Sequence, residues 1–227
     1  ADNVKNFKKG DIVVVPCVTP DWDAVPLQDP DHSEAHDHSL MGGFKFLSSK
    51  DGAFGEFFHV NNADANLVHM PDDVTIEQAL MTVDMMSTGF YGAEIAKVKL
   101  GDTVVVFGIG PVGLMAVAGA KIRGAGEIIA IGTRPNCVEL AKEYGATKIL
   151  SYKEGDLADQ VRALYPEGVD CTIIAGGTTD NITQSLRMVK PGGIISNVNY
   201  YDLSETVSFP ALLWGLGMSD ITITGGF

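Results

Sequence analysis

The stretch VVVFGIGPVG, residues 104–113, decides the fold. Four bulky apolar residues run into Gly108, Gly110 and Gly113, spaced G-x-G-x-x-G, and the following LMAVAGAKIRG is helix-compatible. By itself the glycine pattern is a common turn. Between a strand and a helix the three glycines differ in what they allow. The first permits a tight turn, the second lets a pyrophosphate approach the backbone, and the third lets helix and strand pack closely. Amides at the start of the helix then face the phosphates. The loop Gly108, Ile109, Gly110, Pro111, Val112 and Gly113 is therefore expected to hold a dinucleotide.

Outward from this loop the chain alternates. Strand-like runs are predicted at 103–107, 127–131, 148–150, 171–175, 193–196 and 221–224, and most are separated by helix-compatible segments closed by glycine. Strands apolar on both faces, alternating with helices, predict a six-stranded parallel, doubly wound α/β sheet, the Rossmann arrangement. Before residue 73 the texture differs. GDIVVVP (10–16) and FGEFFHV (54–60) read as strand-like pieces on either side of a polar, histidine-rich loop, implying a small, mostly β region. The segment 75–98 then reads as helical, with Thr75 and Gln78 spaced as a capping box. The expected division is 1–87 and 88–227.

Composition narrows the possible partners. The chain of 227 residues is 45% hydrophobic, enough for a sizeable core, and carries a formal charge of −13 from 16 Lys+Arg and 29 Asp+Glu. Such a surface repels nucleic acid and anionic membranes. Cys17, Cys137 and Cys171 lie far apart, which argues against a disulfide framework or a four-cysteine zinc lobe and fits a reducing, cytoplasmic setting. No apolar run is long enough to span a bilayer, and the start lacks the apolar core of a signal peptide. Both ends read as cut: the chain starts without methionine, and ITITGGF stops straight after a strand-like run.

The second strand leads into IAIGTRP, residues 129–135. About 20 residues past the glycine loop, an Asp or Glu normally binds the ribose 2′-hydroxyl of NAD. Here Gly132, Thr133 and Arg134 occupy the place. A hydroxyl and a guanidinium suit a 2′-phosphate, so NADP is the expected cofactor; the plainer alternative is a solvated arginine on a turn. Tyr152, past the third strand, is expected beside the same phosphate. At the ends of the fourth and fifth strands, Ala175 and Gly176, then Val198, Asn199 and Tyr200, are small or polar groups suited to a nicotinamide ribose and carboxamide, although turn chemistry also favours Gly and Asn.

Two groups invite a metal. Asp84 interrupts the apolar run ALMTVDMMSTGF, and a carboxylate there either ligates a metal or caps the following helix. His32, His36 and His38 gather with Asp31, Glu34 and Asp37 in a stretch almost free of apolar residues. That reads as a solvated loop able to scavenge metal without doing chemistry.

Longer stretches carry a resemblance: VTPDW (18–22), GGFKF (42–46), KDGAFGEFFHVNNADANL (50–67), DMMSTGFYGAE (84–94), GIGPVGLMAVAGAK (108–121), YGATKIL (144–150) and MVKPGGIISNVNYY (188–201). Together they resemble the NADP-dependent, zinc-containing secondary alcohol dehydrogenases of the medium-chain dehydrogenase/reductase superfamily. The resemblance implies a cofactor domain inserted in a GroES-like, mostly β catalytic domain, of which 1–87 is a part. It also implies a catalytic zinc, no structural zinc, and a homotetramer whose cofactor domains pair. By resemblance, Asp84 is a zinc ligand whose companions precede Ala1, and Val18, Phe44 and Tyr200 neighbour a small secondary alcohol or ketone. Relatives usually carry Trp at the place of Phe44, so a roomier pocket is expected. Two other readings stay open: an NADP-binding chain without catalysis of its own, and a zinc-free quinone or enoyl reductase relative, against which Asp84 and its motif argue.

Overall fold

The computed structural model describes residues 3–17, 19, 54–202, 204–212 and 220–226. It separates into two compact units, Ala1–Asp84 and Met85–Phe227.

The second unit is built on six parallel strands: β3 (Thr103–Phe107), β4 (Glu127–Ile131), β5 (Lys148–Leu150), β6 (Val169–Ile174), β7 (Val189–Asn197) and β8 (Thr222–Gly225). Their spatial order is β5-β4-β3-β6-β7-β8. Counted from β3 this is 3-2-1-4-5-6, the dinucleotide-binding order, and it reverses direction between β3 and β6. The expected sheet is present, with β6 and β7 beginning earlier than their apolar runs suggested.

Alternation along the strands divides the core. Val104, Val106, Ile128, Ala130, Cys171 and Ile173 point to one face, under α3 (Met85–Ile95), α4 (Pro111–Ile122) and α5 (Pro135–Tyr144). Val105, Phe107, Ile129, Ile131 and Ile174 point to the other, under α6 (Leu157–Leu164) and α7 (Asp180–Met188). Helices on both faces leave no side of the inner strands wet, which is why they are apolar throughout. The helix ends follow the glycines. Gly145 caps α5 in the left-handed conformation at φ 118°, and Gly124 follows the last residue of the α4 cap at φ 91°.

In the first unit, β1 (Val13–Val14) pairs antiparallel with β2 (Val68–His69), alongside α1 (Ala63–Asn66) and α2 (Ile76–Thr82). The capping box forms as expected: Thr75 Oγ1 accepts from the Gln78 amide at 3.2 Å, and Gln78 Oε1 accepts from the Thr75 amide at 2.9 Å. Two expectations are corrected. FGEFFHV carries no strand, since among the described residues no backbone pairs with it, and Phe54 and Phe57 lie exposed. The helical stretch 75–98 is broken by a turn at Val83 and Asp84, separating α2 from α3.

Candidate dinucleotide site

The carboxyl ends of β3, β4 and β6 enclose a cleft of about 420 Å³ at the point where the strand order reverses. Its floor is the glycine loop. Gly108 turns at φ 82°, where a side chain is strained, and its amide donates to the Ile131 carbonyl at 3.1 Å. A Cβ on Gly113 would lie 1.8 Å from the Gly108 carbonyl oxygen, so only glycine lets α4 begin this close to β3. Pro111 stands at the first position of α4, where its missing N–H is no loss, and Gly110 caps the helix without a side chain. The opening amides of α4 are thereby left for an anion.

Opposite the loop, Ala175, Gly176, Gly177, Thr178 and Asn181 close the cleft. The two glycine-rich backbones nearly touch: a Cβ on Gly108 would lie 3.0 Å from the Gly176 Cα. Asn181 fixes this wall by donating from Nδ2 to the Gly176 carbonyl at 2.9 Å.

The third wall follows β4 and β5. Gly132, Thr133, Arg134, Tyr152 and Leu157 line it. The Thr133 hydroxyl donates to the Tyr152 hydroxyl at 3.0 Å. Arg134, the residue capping α5, lays its guanidinium across the loop, with Nη2 3.6 Å from where a Cβ on Gly110 would stand. Gly132 packs under Ile109, whose Cγ1 would lie 2.1 Å from a Cβ there, so an acidic residue at 132 has no room without repacking Ile109. Of the described residues lining the cleft, Arg134 alone is charged, in a chain of net charge −13.

Gly108, Ile109, Gly110, Gly132, Thr133, Arg134, Tyr152, Ala175 and Gly176 therefore converge, while Pro111, Val112 and Gly113 open the helix behind the loop. Val198, Asn199 and Tyr200 do not line this cleft. Val198 is buried against the core under α3, the Asn199 carbonyl accepts from Asn197 Nδ2 at 3.0 Å, and Tyr200 is exposed. Phe107, Ile131, Leu157, Thr178 and Asn181 line the cleft although the sequence motifs do not single them out, and Gly177 lines it beside Gly176. The Gly177 turn beside Gly176 signalled itself; Leu157 and Asn181 arrive on helices whose starts the sequence leaves loosely defined.

Asp84 occupies the turn immediately before α3 and is half-buried. No group of three or more His, Cys, Asp or Glu side chains able to hold a metal occurs among the described residues. Val18, Phe44, His32, His36 and His38 lie outside the described residues. Cys171 is no nucleophile: burial first, then the nearby Asp102 and Asp170, push its thiol far up. No helix among the described residues is long and apolar enough to cross a membrane.

Comparison with known proteins follows the same outline. The family described as "Zinc-binding dehydrogenase" matches residues 111–226. The NADP-dependent isopropanol dehydrogenase of Thermoanaerobacter brockii is 55% identical over 224 residues, and that of Clostridium beijerinckii 53%; each alignment covers 98% of this chain and 63% of the relative. The chain thus spans less than two thirds of the length of these curated relatives. Among solved structures, zinc dependent alcohol dehydrogenase 2 from Streptococcus pneumonia, in its apo form, superposes with a TM-score of 0.84 at 28% identity, covering 100% of this chain and 63% of that one. Alcohol dehydrogenase TADH from Thermus sp. ATN1 does so with a TM-score of 0.80 at 27% identity, covering 100% and 64%.

Proposed function

We propose a function from one premise: the chain belongs to the zinc-binding dehydrogenase family. In this reading the protein is a cytoplasmic, NADP-dependent oxidoreductase that interconverts secondary alcohols and ketones. The observation that carries it is Arg134, beside the Thr133 and Tyr152 hydroxyls, on a wall with no carboxylate among the described residues. An acid there would bind a ribose diol and repel a 2′-phosphate; a guanidinium does the reverse. The 55% and 53% identity to NADP-dependent isopropanol dehydrogenases supports the same cofactor and substrate class.

The residues fit the dinucleotide at each part of the cleft. The α4 amides and Gly110 take the pyrophosphate, Thr133, Arg134 and Tyr152 take the phosphorylated ribose, and Gly176, held by Asn181, leaves room for the second ribose. Val198, Asn199 and Tyr200, at the end of β7, are assigned to the nicotinamide end. Bound there, the cofactor supplies hydride chemistry at its nicotinamide ring. This chain supplies binding and orientation. Zinc does not fit the described residues by themselves: Asp84 is one donor, and a catalytic zinc takes three protein ligands. We assign Asp84 as one ligand of the family's zinc, and Val18, Phe44 and Tyr200 as neighbours of the substrate.

Ketone reduction and metal content test this reading together. The 227-residue chain is expected to bind NADPH but to reduce no acetone and retain no stoichiometric zinc. Acetone reduction with bound zinc by this polypeptide would overturn that expectation and direct attention to His32, His36 and His38. Reduction of a quinone or enone without zinc would instead favour the zinc-free relatives.

Assembly belongs to the same reading. Among the described residues β8 ends the sheet and pairs only with β7, and its segment 220–226 has neither lysine nor proline to protect the edge. Two copies joining through β8 would satisfy the open backbone groups, as a homodimer or as half of a homotetramer. The Gly226 amide donates to the Asn197 carbonyl of β7, so by alternation the 222 and 224 amides also face β7 and those of 221, 223 and 225 face the open side; Ile223→Pro, which removes an open-edge donor, is expected to weaken the dimer in light scattering. A clean monomer of the unmutated chain at micromolar concentration would contradict this arrangement.

A further inference from the structure

The backbone of the cleft wall at Tyr152 turns on Ser151, whose carbonyl accepts from the Glu154 amide and whose hydroxyl accepts from the Lys153 amide, each at 3.1 Å. Tyr152 belongs to the short turn 151–155 between β5 and α6, it is 57% exposed, and Gly155 closes the turn at φ 115°. One side chain holds the turn at both ends. Gln160, on the first full turn of α6, donates from Nε2 to the Ser151 carbonyl at 3.0 Å and to the Gly155 carbonyl at 3.1 Å. Both amide hydrogens are spent on this clasp, and Tyr152 lies between the clasped ends.

The helix carrying Gln160 is anchored on its other side. Asp156 caps α6 by accepting from the Asp159 amide at 2.9 Å, and Arg187 of α7 donates to Asp156 Oδ2 and Asp159 Oδ1, each at 2.7 Å. Burial pushes the Asp156 carboxyl up, but the Arg187 guanidinium and the capping amides outweigh it and hold the group below its ordinary value. The first turn of α6 is thus a fixed point, and Gln160 ties the exposed turn to it.

We propose that Gln160 is a positioning residue for phosphorylated-cofactor recognition: by clasping the 151–155 turn it holds the Tyr152 hydroxyl at Thr133 and beside Arg134, where a 2′-phosphate would sit. The proposal rests on the NADP reading above. Gln160 does not line the cleft, so its effect passes through Tyr152. The unphosphorylated cofactor, which carries only a neutral 2′-hydroxyl in place of the phosphate, does not sense the clasp.

The test is a double-mutant cycle with NADPH and NADH as probes. Gln160→Met keeps side-chain length, charge and helix preference while removing both donors. It is expected to reduce NADPH affinity roughly three- to tenfold, the range of one hydrogen bond, with NADH affinity unchanged. In a Tyr152→Phe background the same substitution is expected to change NADPH affinity by less than about twofold, because the group through which it acts is gone. Tryptic cleavage after Lys153, within the turn, should quicken in Gln160→Met. Equal weakening of both cofactors, an unchanged NADPH preference, or the full effect persisting in the Tyr152→Phe background would each overturn the proposal while leaving the NADP reading intact. Equal affinity of the unmutated chain for NADPH and NADH would overturn that reading and the proposal with it.

Discussion

The two ends of the same parallel strands are chemically opposite. At their amino ends, charges meet each other. Glu127 accepts from Lys148, from Thr147 at 2.8 Å and from Tyr165 at 3.1 Å; Asp170 pairs with Lys190 and accepts from the Thr103 amide at 2.8 Å. At their carboxyl ends stand glycines, the hydroxyls of Thr133, Tyr152 and Thr178, and an arginine that makes no ion pair among the described residues. One rim is saturated from within, while the other keeps its donors for something else. Strand direction explains the difference, since every β-to-α turn opens at the carboxyl rim and presents helix-start amides there.

The comparison predicts that substitutions at the carboxyl rim change binding and those at the amino rim change only stability. The largest effect belongs to Gly113→Ala. Its Cβ would meet the Gly108 carbonyl, so α4 must move off β3. Overpacking of this kind costs about 3 kcal/mol, and chemical denaturation should show it together with loss of NADPH binding. A stable variant that still binds NADPH would show that the loop is looser than its geometry indicates.

Next comes Arg134→Ala, expected to leave folding unchanged and to narrow the NADPH over NADH preference by about 1.5 to 3 kcal/mol, the worth of a hydrogen bond to a charged group. Calorimetric titration of both cofactors measures it. A preference that survives intact would move the phosphate away from Arg134.

The smallest effect lies at the other rim. The Lys148 ammonium first, then the Thr147 hydroxyl, holds the Glu127 carboxyl below its ordinary value of 4.5. Its contribution is therefore complete above that value and is lost as the pH falls through the lower, folded value. Glu127→Gln should lower the melting temperature slightly at neutral pH and flatten its decline in acid, with the cofactor preference untouched. A shift in that preference would mean that the two rims are coupled through the sheet.

The carboxyl rim was the more legible end from sequence. The glycine spacing, the missing acid at 132–134 and the strand alternation are local signals, and each is forced by backbone geometry. Tyr152 is expected beside the phosphate because it lies just past a strand, and its hydroxyl accepts from Thr133. Gln160, Asn181 and Leu157 were not legible, since their roles arise from which carbonyl or cavity a helix happens to face after packing. FGEFFHV misled for the converse reason: β-forming residues make a strand only by pairing, and among the described residues none pairs with it.

The most direct test of the account is equilibrium titration of the unmutated 227-residue chain with NADPH and with NADH at one fixed ionic strength. The account predicts that NADPH binds roughly tenfold tighter or more, as a charge-assisted contact to an added phosphate requires. Equal affinities for the two cofactors would contradict it, and would leave Arg134 an ordinary solvated arginine on the edge of the cleft.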